Sequence, residues 1–232
     1  MREVHTFYGR SHVLQGINLV LNQGDVVSVM GRNGAGKTTL MRTIMGLTPA
    51  RSGAITLNDI EITHLRPHKV FLLGVKLVPQ GRRVFPKLTV EENLQLVMVG
   101  QRVHQPANEI DKAYSRFPIL KQRRRQKVKG LSGGERQMLA VARALLGETN
   151  IILMDEPTEG LAPIVVKELY RIIMDIKTEG ITIFLAEQNV KMALTSCDRH
   201  YILEKGEIRF EGSTEKILAN QDIVDQTLGV SA

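Results

Sequence analysis

Residues 31–39 read GRNGAGKTT: Gly31, Arg32, Asn33, Gly34, Ala35, Gly36, Lys37, Thr38 and Thr39. The stretch fits G-x-x-x-x-G-K-[ST] at every fixed position. Each residue type there has a physical task. The glycines let backbone N–H groups curl around phosphate oxygens. A helix opening at Lys37-Thr38 aims the positive end of its dipole at the same oxygens. The Lys37 ammonium is expected to reach the β- and γ-phosphates, and the Thr38 hydroxyl to ligate Mg²⁺. Just upstream, DVVSVM (25–30) is a short β-branched run, consistent with a buried strand. Just downstream, TTLMRTIMGL reads as a helix. Strand, glycine loop and helix together define an α/β fold that holds a nucleoside triphosphate.

Such a site needs an acid on a second strand, and ILMDE (152–156) supplies it. Its apolar run ends in Asp155 and Glu156, at the strand's carboxyl end, where open α/β sheets bind ligands. Asp155 suits Mg²⁺ binding through water. Glu156 is placed to take a proton from an attacking water.

Further out, HVLQGINLVL (12–21) alternates like a strand, GAITLN (53–58) is another, and VKLVP (75–79) leads into Gln80. From residue 87 to about 130 the pattern turns helical, without a clear strand. Thr89 and Glu92 form a capping box that opens a helix expected to run to about Val103. ANEIDKAYSRFP (107–118) reads as a second, amphipathic helix. Ser132 and Glu135 form another capping box, opening the helix GGERQMLAVARALLG. Thereafter strands NIILMD and ITIFLA flank a helix that begins at Pro163, and RHYILEKGEIRFEG (199–212) reads as a hairpin turning at Lys205-Gly206. The last twenty residues read as a helix and a tail.

The 232 residues suit one large domain, with 43% apolar and 24% charged residues typical of a soluble globular protein. No run approaches the roughly 20 apolar residues that span a bilayer. The start, MREVHTFYGR, carries no signal-peptide pattern, and Cys197 stands alone, which favours the cytosol. The formal charge is +7, and KQRRRQKVKG (121–130) holds six of the cations. That run reads either as a solvated linker or helix face, or as a contact for lipid headgroups or an acidic partner. Nucleic acid is disfavoured, because no aromatics are interleaved for stacking.

GRNGAGKTT, Gln80, LSGGERQ (131–137), ILMDEP and the strand ending in AEQ occur in the order seen in ATP-binding cassette (ABC) ATPases, which the chain resembles along almost its whole length. The resemblance implies a P-loop NTPase fold with a mixed, mostly parallel central sheet and an N-terminal antiparallel β part. It implies a single cassette, with residues 1–86 and 131–232 forming the core and 87–130 an inserted helical lobe. It implies ATP and Mg²⁺ as ligands. Two cassettes, identical or different, would face each other head to tail. Ser132, Gly133, Gly134 and Glu135 of one would then cap the ATP held by the other. Tyr8 matches the aromatic that stacks on adenine, and Gln80 the glutamine that meets Mg²⁺ and the attacking water.

Two positions depart from the general pattern. Gln188 stands where a switch histidine is usual, and Ala162 where the loop after the catalytic acid usually ends in Asp. A glutamine amide can donate to a γ-phosphate oxygen but carries no proton near neutral pH. PTEGLAP, AEQN and PQGRRVFPKLTVEENL are similar to segments of the ATPase subunits of branched-chain amino acid importers, with urea and short-amide importers as close relatives. The first strand is a few residues shorter than in that family. The implied activity is ATP hydrolysis coupled to transport, at the cytoplasmic face of a membrane. The implied partners are integral permease subunits and, indirectly, an extracytoplasmic solute-binding protein. A soluble ABC ATPase acting on nucleic acid is the competing reading. It usually carries tandem cassettes or long coiled-coil insertions, which this chain lacks. A non-hydrolysing scaffold is opposed by Glu156 and Lys37.

Overall fold

The structure, a computed structural model, describes residues 1–99 and 106–220. In chain order the elements are β1 (Arg2–Tyr8), β2 (Ser11–Ile17), β3 (Val26–Met30), α1 (Lys37–Ile44), β4 (Ser52–Ala54), β5 (Thr56–Leu57) and β6 (Ile60–Glu61). Then come α2 (Pro67–Leu72), β7 (Val75–Val78), α3 (Val90–Met98), α4 (Pro106–Arg116), α5 (Pro118–Gln122) and α6 (Gly133–Ala144). The chain continues through β8 (Ile151–Asp155), α7 (Pro163–Thr178), β9 (Thr182–Glu187), α8 (Val190–Ser196), β10 (Arg199–Glu204), β11 (Glu207–Ser213) and α9 (Thr214–Leu218).

Strand order in the main sheet is β11-β10-β3-β9-β8-β7. All neighbours pair in parallel except β11, which returns antiparallel through Lys205-Gly206. All five residues of β3 are buried, as its β-branched run predicts for a strand covered on both faces. The register aligns Met30 with Glu187 and Asp155 with Ala186. The carboxyl ends of β3, β8 and β9 therefore lie along one edge, with the glycine loop, Glu156 and Gln188 following them.

A smaller antiparallel sheet, β2-β1-β4, packs beside α1. Leu14, Ile17, Leu40, Met41 and Ile44 join Val27, Val29, Phe184 and Tyr201 in one core on that side. On the other side α6 and α7 close over the sheet. Leu139, Val141, Ile173 and Ile176 meet Val26, Ile152 and Ile183 there, and Val90, Leu94, Tyr114, Phe117 and Leu120 of the helical stretch join the same cluster. Each fully buried Leu or Ile of this kind contributes about 1.5–3 kcal/mol.

Three local outcomes differ from the sequence reading. GAITLN is broken into β4 and β5, because the Ile55 amide donates to Thr63 Oγ1 at 2.9 Å and its carbonyl accepts from the Ile62 amide at 2.8 Å. Proline at the first position starts two short helices, α2 and α5, that were not expected. The second lobe helix begins at Pro106 and stops at Arg116, and Pro118 opens the next. The Thr89–Glu92 capping box is present with both reciprocal bonds, at 3.1 and 2.7 Å. That helix stops at Met98, short of the expected Val103, because Val99 is extended at its C-cap. The tail beyond residue 220 lies outside the described residues.

Candidate nucleotide site

The glycine loop turns where the sequence places it. Gly36 sits at φ 115°, ahead of α1, a conformation that disfavours any side chain. Gly31 has no room for one, since a Cβ there would lie 2.4 Å from the Leu203 carbonyl oxygen. Arg32, Asn33 and Gly34 are exposed at the loop's tip, while Ala35 and Thr39 are buried beneath it.

Lys37 is nearly buried, and its ammonium donates to the Gly31 carbonyl at 2.7 Å and the Arg32 carbonyl at 3.3 Å. It also pairs with Glu156 Oε1 at 3.0 Å. The Lys37 cation and the Glu156 carboxylate thus share one point below the loop. Glu156 has φ 46°, a left-handed conformation that turns the chain sharply at the end of β8.

The Thr38 hydroxyl donates to Asp155 Oδ1 at 3.2 Å. Burial is the main cause that raises the Asp155 carboxyl above its ordinary range, opposed by the Thr38 hydroxyl and by the Gln80 backbone amide. Thr38 and Asp155 therefore converge beside the Gln80 backbone amide, and they present a hydroxyl and a carboxylate. Hard oxygen donors of this kind fit Mg²⁺.

Gln80 Nε2 donates to Glu156 Oε2 at 3.3 Å and to Glu159 Oε2 at 2.9 Å. The segment that carries it is pinned to α3 by fully buried Asn93. Asn93 Nδ2 donates to the Phe85 and Thr89 carbonyls, and its Oδ1 accepts from the Phe85 amide. Tyr8 is 46% exposed at the end of β1, with its hydroxyl 3.2 Å from Thr48 Oγ1. Gln188 is exposed just past β9.

The structure adds residues that the sequence reading did not name. Glu187, 3% exposed, accepts from the Thr158 hydroxyl at 2.7 Å, and burial raises its carboxyl above the ordinary range. Glu159 takes the Gln80 amide. No spacing rule points to either, because each contact joins two segments that are remote in sequence.

LSGGERQ lies at the start of α6. Glu135 N donates to Ser132 Oγ at 3.1 Å, and Ser132 N donates to Glu135 Oε2 at 2.7 Å. Because Ser132 Oγ accepts there, its own proton stays free to donate. Arg123 lies 3.4 Å from Glu135 Oε1, and backbone bonds from Val90, Glu91 and Val128 hold the basic run against residues 88–91.

A phosphate-cradling loop, a buried lysine and an acid-tipped strand on one edge of a parallel sheet define a P-loop ATPase. Residues 14–159 match the family described as ABC transporter. The high-affinity branched-chain amino acid transport ATP-binding protein BraG of Pseudomonas aeruginosa is 39% identical over 98% of this chain and 97% of its own. A probable branched-chain amino acid transport ATP-binding protein, LivF of Archaeoglobus fulgidus, is 37% identical over 96% of this chain and 95% of its own. A nucleotide-free ATP-binding cassette from an ABC transporter superposes with a TM-score of 0.85, covering 100% of this chain and 98% of that one at 24% identity. The chain belongs to the ABC transporter ATPase family, whose cassettes hydrolyse ATP to drive transport. Among the described residues no helix is long and apolar enough to cross a membrane.

Proposed function

We propose that this chain is the ATP-driven motor subunit of an importer for branched-chain amino acids. The observation that carries this reading is the end-to-end likeness to two branched-chain ATP-binding proteins. In this reading Gly31, Arg32, Asn33, Gly34, Ala35, Gly36, Lys37, Thr38 and Thr39 hold the ATP phosphates, and Tyr8 stacks on adenine. Lys37 leaves Glu156 for the β- and γ-phosphates, which frees the Glu156 carboxylate to accept a proton from water. Thr38, Gln80 and Asp155 would hold Mg²⁺, which neutralises phosphate charge when bound. Gln188 donates to the γ-phosphate as an amide.

A second cassette, a copy of this chain or a homologue, faces it head to tail. Ser132, Gly133, Gly134 and Glu135 then cap the partner's ATP. The helical insert, residues 87–130, passes closure to permease subunits from the cytoplasmic face. Specificity for the amino acid resides in those subunits and in a solute-binding protein.

The test is co-purification of the chain with its permeases from a membrane extract, followed by reconstitution into vesicles and ATP-dependent uptake of labelled leucine, isoleucine and urea. Leucine and isoleucine should accumulate and urea should not. Uptake of urea alone would overturn the substrate assignment.

A further inference from the structure

Arg82 lies two residues beyond Gln80, at φ 53°, on the loop that leaves the main sheet. Its guanidinium sits between two glycines of other segments. A Cβ at Gly133 would lie 2.8 Å from Nη1, and one at Gly160 would lie 3.6 Å from Nη2. Any larger residue at 133 would push the guanidinium away. Among the described residues Arg82 makes no ion pair, and its one hydrogen bond runs from Nη2 to the Glu159 carbonyl at 2.6 Å. That bond leaves Nη1 and Nε available as donors.

This placement brings two positive features together. Gly133 is the first residue of α6, where the helix dipole already presents positive charge, and a guanidinium beside it adds more. The nearby carboxylates are committed elsewhere. Glu135 is held by the Ser132 amide and Arg123, and Glu159 by Gln80. A helix start and a planar, multi-donor cation at one point are complementary to a single anion, and a phosphoryl group suits the guanidinium fork.

We propose that Arg82 binds the γ-phosphate of the ATP held by the partner cassette, beside Ser132 and Gly133. The proposal rests on the head-to-tail reading given above. It makes the Gln80 loop a contributor to both sites, with Gln80 toward its own ATP and Arg82 toward the partner's.

The test uses the full chain with Glu156→Gln, which slows hydrolysis, and sedimentation with ATP as the readout. The Glu156→Gln chain should form an ATP-held dimer. Adding Arg82→Ala should raise the dimer dissociation constant at least about tenfold, with partial recovery for Arg82→Lys. A mixed pair then separates action across the interface from a structural role. In the first pair, one chain carries Lys37→Ala and the other Arg82→Ala, so the only loaded ATP faces an intact Arg82. In the second pair, one chain carries both changes and the other neither, so the loaded ATP faces a chain without the guanidinium. The first pair should associate more tightly. Equal association of the two pairs, the opposite order, or an Arg82→Ala dimer as tight as its parent would overturn the role of Arg82 and leave the head-to-tail reading intact. Failure of the Glu156→Gln parent to dimerise with ATP would overturn that reading, and this inference with it.

Discussion

Lys37 and Glu156 neutralise each other, with side chains only 4% and 11% exposed. Lys37→Ala removes the charged grip on the phosphates, and ATP affinity should fall at least about a hundredfold, near 3 kcal/mol. The same change strands a buried carboxylate, so the melting temperature should fall as well. Adding Glu156→Gln should restore the melting temperature without restoring affinity. Isothermal titration and thermal melts of the two variants check both halves, and recovery of ATP binding in the double variant would contradict the role of Lys37.

His200 is wholly buried, with Nδ1 2.7 Å from Ser28 Oγ and Nε2 2.9 Å from Thr214 Oγ1. Burial lowers its pKa from 6.5 to about 4, against an opposing pull from Asp198. Unfolding therefore takes up a proton between those values. Its contribution is complete above about pH 6.5 and is lost as pH falls toward 4, by roughly 3 kcal/mol at most. His200→Gln should flatten this acid limb in urea melts taken from pH 7 to 4.5.

At the scale of elements, α6 and α7 meet at a glycine. A Cβ on Gly134 would lie 2.9 Å from both methyl carbons of Val165, whose β-branched side chain has little freedom to turn aside. Overpacking costs about 1–3 kcal/mol, while alanine gains up to about 1 kcal/mol of helix propensity. Gly134→Ala should therefore destabilise the chain by about 1–2 kcal/mol in urea denaturation, and Val165→Ala should suppress the effect. An unchanged midpoint would show that α7 shifts freely. The resemblance assigns both glycines of LSGGERQ to the cap over a partner's ATP. At Gly134 the packing demand is present in the structure, and the phosphate role belongs to the proposed dimer. Thr89 and Ser132 were legible as caps because a capping box closes within four residues. The breaks in GAITLN and the short helices α2 and α5 were not, because hydrogen bonds from outside the window decided them.

At the scale of the whole molecule, the proposed closure needs two chains. Glu156→Gln keeps the side-chain shape and removes the base, so it should bind ATP, turn it over at least about a hundredfold more slowly, and sediment at twice the monomer mass. Removing ATP should return it to monomer. A variant that stays monomeric with ATP and hydrolyses at the parental rate would show that Glu156 is not the base.

The sequence by itself determined the ATPase class, the order of the motifs, the two capped helices and the hairpin at Lys205-Gly206. These depend on residue types at fixed short spacings, where backbone geometry leaves few alternatives. Only the tertiary structure decided the strand order β11-β10-β3-β9-β8-β7, which brings Met30, Asp155 and Glu187 to one edge. It alone paired Lys37 with Glu156, joined Gln80 to Glu159, and set Arg82 between Gly133 and Gly160. Those contacts join segments remote along the chain. Their register follows from which faces are buried together, and no local spacing in the sequence records that.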